Sequence, residues 1–194
     1  MTKDFTPVKG QITLHGLGFL QVKLPNNQRI HVWHPDLPKR KCAEFSPFHN
    51  HRFAFRSQVL VGTQINQRGK LWTRGIGQGP RGSQYVEVVS HDGPRRPTGS
   101  RESYVSGKAV LEVFAREYYG PGESYEMPIG QYHRTVTHKD SPVVVTLMTK
   151  LSESTIHAKS LIKPGETFDQ EFDRFQLSED EMWDIFLTSL KGAA

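Results

Sequence analysis

The chain reads as an all-β protein, a sandwich or closed barrel with one C-terminal helix. Three observations carry this reading. Short runs alternating apolar and polar residues recur between Gly18 and Ile162. Turns rich in Gly, Pro and Asn separate them. The one segment with clear helical periodicity is the last, beginning at Ser178.

Taken in order, Gly18 to Leu24 alternates, Pro25 to Gln28 is a turn, and Arg29 to Trp33 alternates again, which predicts a hairpin. His31 and His34 lie in or just after its second strand, where a surface or core-edge role is expected. Pro35, Pro38 and the Lys39-Arg40-Lys41 run predict a loop. A strand bearing His49 and His51 then continues through Phe53, Phe55, Ser57 and Val59 to Gly62. Thr63 to Trp72 predicts another strand, with a polar turn at Asn66 to Gly69. From Gly75 to Arg101 the chain is dense in Gly and Pro, and Tyr85 to Val89 is its strand candidate. The rest of that stretch reads as a long basic loop, of the kind that is functional or disordered in a compact domain. Val110 to Tyr119 is a strong strand ended by Gly120-Pro121-Gly122. Pro142 to Thr149 is a β-branched run typical of a buried strand. Thr155 to Ile162 is a weaker candidate. At the C-terminus, Ser178 to Glu181 forms a capping box, and Met182, Phe186 and Leu190 recur at helical spacing beside Trp183 and Leu187. That helix is expected to pack on the sheet.

Composition narrows the class. At 194 residues the chain suits one domain with a real core. No apolar run approaches the roughly 20 residues of a membrane-spanning helix. The N-terminus lacks the apolar centre of a signal peptide. Cys42 is the single cysteine, so no internal disulfide forms, and a cytoplasmic setting is the default expectation. An inert thiol is expected there.

Charge is uneven. Residues 68–108 hold eight Lys/Arg against three Asp/Glu, whereas residues 166–194 hold eight Asp/Glu against two Lys/Arg. A basic region can meet nucleic acid or an anionic ligand, or dock on an acidic tail. No zinc knuckle, helix-turn-helix or aromatic RNA-binding strand accompanies it, so nucleic acid is not the expected partner.

Two stretches carry the chemistry. Phe48-His49-Asn50-His51 places two imidazoles at i and i+2, which point to one face of an extended strand. Gly122 to His133 supplies a third imidazole beside a Gly/Pro turn. Three convergent histidines, His49, His51 and His133, outline a first-row metal site.

These stretches resemble the two motifs of the cupin superfamily. Gly122, Pro128, Gly130 and His133 meet every spacing of the second motif, with Thr137 in place of its final Asn. In the first motif His49, His51 and Gly62 fit, Ala43 stands at the first Gly position, and Phe55 stands where the family has a Glu ligand. The resemblance implies a cupin-type jelly-roll barrel over residues 1–176, with a basic insertion around 66–108, and a C-terminal helix over 177–194 packed on the barrel. Pro128 and Gly130 are read as turn-makers that set the angle of His133.

With the Glu replaced by Phe55, the implied ligand set is three neutral imidazoles, which leaves three positions of an octahedron open. Such sites are similar to those of the cysteine dioxygenase-like thiol dioxygenases, in which ferrous iron binds thiolate and dioxygen and the thiol becomes a sulfinate. His133-Arg134, the polar run to Ser141 and the strand after Pro142 resemble that group. The implied cofactor is Fe(2+), with Zn, Mn or Ni as other divalent candidates. The implied partners are a small-molecule substrate and dioxygen, and cupins commonly form homodimers through sheet edges. Glu112, Arg116 and Tyr118 share one face of the strong strand. If it lines the pocket, they serve as base, anion clamp and hydrogen-bonding acid; otherwise it is the solvated face. Tyr132 is a support for His133 or a packed aromatic, and Arg52 and Arg56 are expected outside the pocket. Two other readings stay open: a non-catalytic cupin that binds a small anion or nucleotide, and a metal-assisted sugar isomerase or epimerase.

Overall fold

The computed structural model describes residues 8–42, 48–73 and 79–191. Ala43 and Gly75, which figured above, lie outside the described residues. Among the described residues, eleven strands form two antiparallel sheets. The first contains β1 (Ile12–His15), β2 (Phe19–Lys23), β3 (Gln28–Trp33), β4 (Phe53–Val61), β8 (Ser124–Met127) and β10 (Val144–Glu153), in the order β1-β2-β3-β10-β4-β8. The second contains β5 (Gln64–Trp72), β6 (Gln84–Ser90), β7 (Tyr104–Tyr119), β9 (Tyr132–Thr137) and β11 (Lys159–Ile162), in the order β11-β6-β7-β5-β9. The helix α1 (Glu179–Lys191) follows. The expected all-β barrel with a C-terminal helix is therefore what the chain forms.

Alternation along β1, β2 and β3 explains how the first sheet serves two purposes. Ile12, Leu14, Leu20, Val22, Ile30 and Val32 are buried under Met182, Trp183 and Phe186 of α1. The residues between them, His15, Phe19, Gln21, Arg29, His31 and Trp33, face an internal cavity. One face is a core and the other a pocket wall because side chains alternate with period two. The helix begins as the capping box requires: the Glu181 amide donates to Ser178 Oγ at 3.2 Å, and the Ser178 amide donates to the Glu181 carboxylate at 2.8 Å. The Gly10 amide also donates to the Glu179 carboxylate, which ties the chain's start to the helix. No described helix is long and apolar enough to cross a membrane.

Three expectations change. β5 runs unbroken through Asn66 to Gly69, and the irregularity there is a β-bulge between Arg68 and Gly69 opposite β7, not a turn. The strand carrying the first histidines does not run unbroken to Gly62, because β4 starts only at Phe53. The strong strand begins earlier than Val110, because β7 starts at Tyr104 within the basic region; β6 covers the Tyr85 to Val89 candidate, and the hairpin between them docks on the acidic C-terminal region, one of the roles left open for it, through an Arg96–Glu171 ion pair. Gly62 ends β4 with φ of 75°, and a Cβ there would lie 2.2 Å from the Val143 carbonyl oxygen, so only glycine fits this corner.

Candidate metal centre

The backbone brings the three imidazoles together. The His49 amide donates to the His133 carbonyl and the His133 amide to the His49 carbonyl, both at 2.9 Å. On its other side the segment pairs with β11: the Asn50 amide reaches the Lys159 carbonyl at 3.0 Å, and the Leu161 amide reaches the Phe48 carbonyl at 2.9 Å. Residues 48–50 thus spend their hydrogen bonds on the second sheet, whereas β4 belongs to the first. The chain changes sheets just after His51, which is why a single strand does not form. The Gly130 amide fixes the His51 carbonyl at 2.9 Å, and Gly130 has φ of 76°, so the second-motif turn holds both His51 and His133 in place.

The ring centroids of His49 lie 4.7 Å from those of both His51 and His133, and the latter two are 5.2 Å apart. One nitrogen from each ring lies within 4.8 Å of the others. The Nε2 atoms of His51 and His133 are 3.0 Å apart. That is the spacing of two donors each about 2.1 Å from a common ion and about a right angle apart. The donor chemistry also fits a divalent transition metal, because burial holds His51 and His133 well below the usual imidazole pKa and so keeps both neutral.

His133 is oriented from behind. Its Nδ1 lies 3.1 Å from Asn66 Oδ1. The Asn66 amide nitrogen donates to Glu117 at 3.1 Å, and Arg68 Nε donates to the same carboxylate oxygen at 2.9 Å. Because Asn66 spends its NH₂ on Glu117, its oxygen must face His133. Nδ1 of His133 then carries the proton and Nε2 keeps its lone pair for the centre. Asn66→Ala should therefore weaken divalent-metal binding about 10–100-fold without removing a ligand. Competition against a chelating dye reads this directly, and an unchanged affinity would remove Asn66 from the account.

Phe55, at the position of the family's Glu, is 5% exposed and stands edge-on to His51 at 5.2 Å. It closes the centre with an apolar wall. The centre opens on a cavity of about 500 Å³ lined by Phe19, Trp33, Phe53, Phe55, Tyr125 and Met148 on its apolar side. Gln64 Nε2 donates to the Tyr125 hydroxyl at 2.9 Å, and burial pushes that phenol pKa up, so Tyr125 stays protonated.

Glu112, Arg116 and Tyr118 do not reach this cavity. Arg116 and Tyr118 are exposed on β7, and the Glu112 carboxylate accepts from Trp72 Nε1 at the surface. The inward positions of β5 are Gln64, Asn66 and Arg68, which pair across β9 with Thr137, Thr135 and His133 and across β7 with Tyr119, Glu117 and Ala115. Glu117, between Arg116 and Tyr118, is the acid in touch with the site through Asn66. Arg56 stays outside, paired with Glu126, but Arg52 sits at the cavity's edge beside Glu153. His34 stays near Asp36, as expected of a peripheral group. His31 does not: it lines the cavity 3.2 Å from Gln21 Nε2. Tyr132 packs against the Phe48 cluster, and burial raises its pKa to about 12, which fits a packed aromatic. Cys42 is buried and its thiol pKa is raised, which fits an inert thiol.

Sequence reasoning missed Asn66, Glu117, Tyr125 and His31. The available signal was polarity at alternating positions 64, 66 and 68 of β5, which share one face of the strand.

Several buried histidines make the fold acid-sensitive. Burial, with help from Arg29 and His49, lowers His31 to about 3, and burial, with Arg40 and His49, lowers His91 to about 4. In the unfolded chain both titrate near 6.5. The unfolded state thus binds more protons below that pH, and stability falls as pH drops from about 6.5 toward about 3. Urea midpoints of the metal-free protein should decline steadily from pH 7 to pH 5, and a flat profile would contradict these burials.

No family model matches the chain, and no curated protein matches it. Among solved structures it is similar to hydroquinone 1,2-dioxygenase from Sphingomonas sp. TTNP3 with 4-hydroxybenzoate bound, at 11% identity and a TM-score of 0.35, covering 76% of this chain and 69% of that one. It is also similar to hydroquinone 1,2-dioxygenase PnpCD in complex with Cd2+ and 4-hydroxybenzonitrile, at 14% identity and a TM-score of 0.34, covering 68% of this chain and 62% of that one. At that level of superposition the likeness assigns no chemistry, which has to be read from the site itself.

Proposed function

We propose that the protein is a cupin-type, metal-dependent dioxygenase that holds ferrous iron on His49, His51 and His133 and oxidises a small substrate such as a thiol. The observation that carries this is the convergence of three imidazoles, with the Nε2 atoms of His51 and His133 3.0 Å apart, at the wall of a cavity with one apolar side. A bound ferrous ion would supply positions open to a substrate donor atom and to dioxygen, together with redox capacity. The chain's own residues supply the rest. Asn66 fixes the His133 tautomer. Phe55 and Phe53 exclude water beside His51. Tyr125, kept protonated, offers a hydrogen bond to an oxygen atom in the cavity. Conversion of a thiol to a sulfinate takes up both atoms of dioxygen and needs no further reductant.

Oxygen uptake by the iron-loaded protein with a panel of small thiols tests this reading. Uptake matched by sulfinate formation supports it, and a folded, iron-loaded protein that consumes no oxygen with any of them counts against it. One observation favours a second reading, a binding cupin without turnover: arginines crowd one end of the cavity. Tight ligand binding with no oxygen uptake would select that alternative.

A further inference from the structure

We propose that Arg95, Arg101 and Arg174 form an oxyanion subsite beside the three histidines, so that the ligand of this cavity is a small molecule with a carboxylate or phosphate head and an apolar body. The metal half of this picture rests on the function proposed above; the anion subsite stands without it.

A local rule is broken in the hairpin that borders the cavity. Arg95 and Arg101 face each other across an antiparallel bridge in a short hairpin, turned by Arg96 to Gly99. Like charges directly opposite on paired strands are destabilising. Such conflicts belong at functional sites, where a ligand resolves them.

A third arginine is built onto the same hairpin. The Arg174 amide donates to the Thr98 carbonyl at 3.1 Å, and its Cδ lies against Gly99. Arg174 Nε then donates to the Leu14 carbonyl at 2.9 Å. Arg95 donates to the Gly99 carbonyl and Arg101 to the Gly93 carbonyl, both at 2.9 Å. These main-chain oxygens hold the guanidinium groups in position but do not cancel their charge.

The three arginines line a recess of about 200 Å³ that also touches His49, His51, Arg40 and Lys159, and among the described residues its wall holds no Asp or Glu. Asp92, the one acid among the described residues of the larger cavity's wall, is engaged by the Tyr104 hydroxyl at 3.0 Å. Acids are present nearby but are spent elsewhere: Arg96, on the same hairpin, takes Glu102 and Glu171, and Arg52, at the cavity's other side, takes Glu153. Burial, followed by Arg95, Arg40 and Arg29, pulls the Arg174 pKa down to about 10. Among the described residues Arg95, Arg101 and Arg174 thus have no acid partner, with Arg174 partly buried at the back and Arg95 and Arg101 exposed at the mouth. Planar guanidinium donors there match carboxylate or phosphate oxygens in pairs. The aromatic wall at Phe19, Trp33 and Phe53 receives the rest of the ligand.

Calorimetric titration of the metal-free protein with phenyl phosphate, benzoate and phenol tests this. At least one charged compound should bind, one molecule per chain, about tenfold or more tighter than phenol, and the tighter of the two identifies the head group. Arg174→Gln should weaken that binding about tenfold, as should Arg101→Gln, whose exposed position makes it tolerant of change. Phenol affinity and ferrous-iron loading should stay unchanged in both variants. Equal binding of phenol and the two anions would overturn the proposal, as would wild-type anion affinity in the folded variants. A single-stranded oligonucleotide binding more tightly than phenyl phosphate would overturn it too, since a polymer would then be the ligand. Because no metal is present, failure here leaves the dioxygenase reading intact, and failure of oxygen uptake leaves this subsite intact.

Discussion

His133→Ala should abolish stoichiometric iron binding while leaving the chain folded. His133 is 3% exposed, and its backbone forms both bonds of the bridge to His49. Alanine keeps that bridge, because the bonds are main-chain. It removes the ring that joins His51 to the Asn66–Glu117–Arg68 chain. Two imidazoles remain, and two cannot hold a divalent ion as three do. The loss should exceed the roughly 10–100-fold expected for removing only the supporting bond at Asn66. Metal analysis after ferrous reconstitution, alongside thermal melts of the metal-free proteins, separates lost ligation from lost folding. A His133→Ala protein that melts like the wild type and retains a full equivalent of iron would remove His133 from the ligand set.

Phe186→Ala should cost about 3–5 kcal/mol of stability, the range for truncating a fully buried aromatic side chain. Phe186 is 0% exposed and meets Trp183 in an edge-on contact at 5.3 Å. Together they cover the outer face of β1, β2 and β3, where Leu14, Leu20, Val22 and Val32 are also fully buried. The consequence extends to the cavity, because the opposite face of those strands carries Phe19, His31 and Trp33. Chemical denaturation measures the loss. Leu187→Ala, at a partly buried position, should cost clearly less, and equal costs would mean that α1 is not anchored through Phe186.

Alternation and turn chemistry made β2, β3, β10 and the terminal helix legible, since those signals are local, whereas the short strands β1 and β8 of the same sheet were not anticipated. The β2–β3 hairpin, the strand after Pro142 and the capping box at Ser178 all needed only neighbouring residues. The His49 segment was harder, because its partners are β9 and β11, far away in sequence. A strand that changes sheets after His51 looks continuous until its hydrogen bonds are traced. The same limit governed the site. His49, His51 and His133 stood out by spacing and the Gly-Pro-Gly turn, and the structure brings their rings together. Their surroundings depended on register. The bulge between Arg68 and Gly69 and the pairing of Asn66 with Glu117 decide which β7 residue acts on the site, and the choice falls between Arg116 and Tyr118. His31 looked peripheral because nothing local announces that one face of β3 borders a cavity.

Anaerobic titration of the full chain with ferrous ion tests the central claim most directly. One equivalent per chain, bound to the wild type and lost on His133→Ala, is the expected result. A well-folded wild-type protein that takes up no transition metal would contradict it.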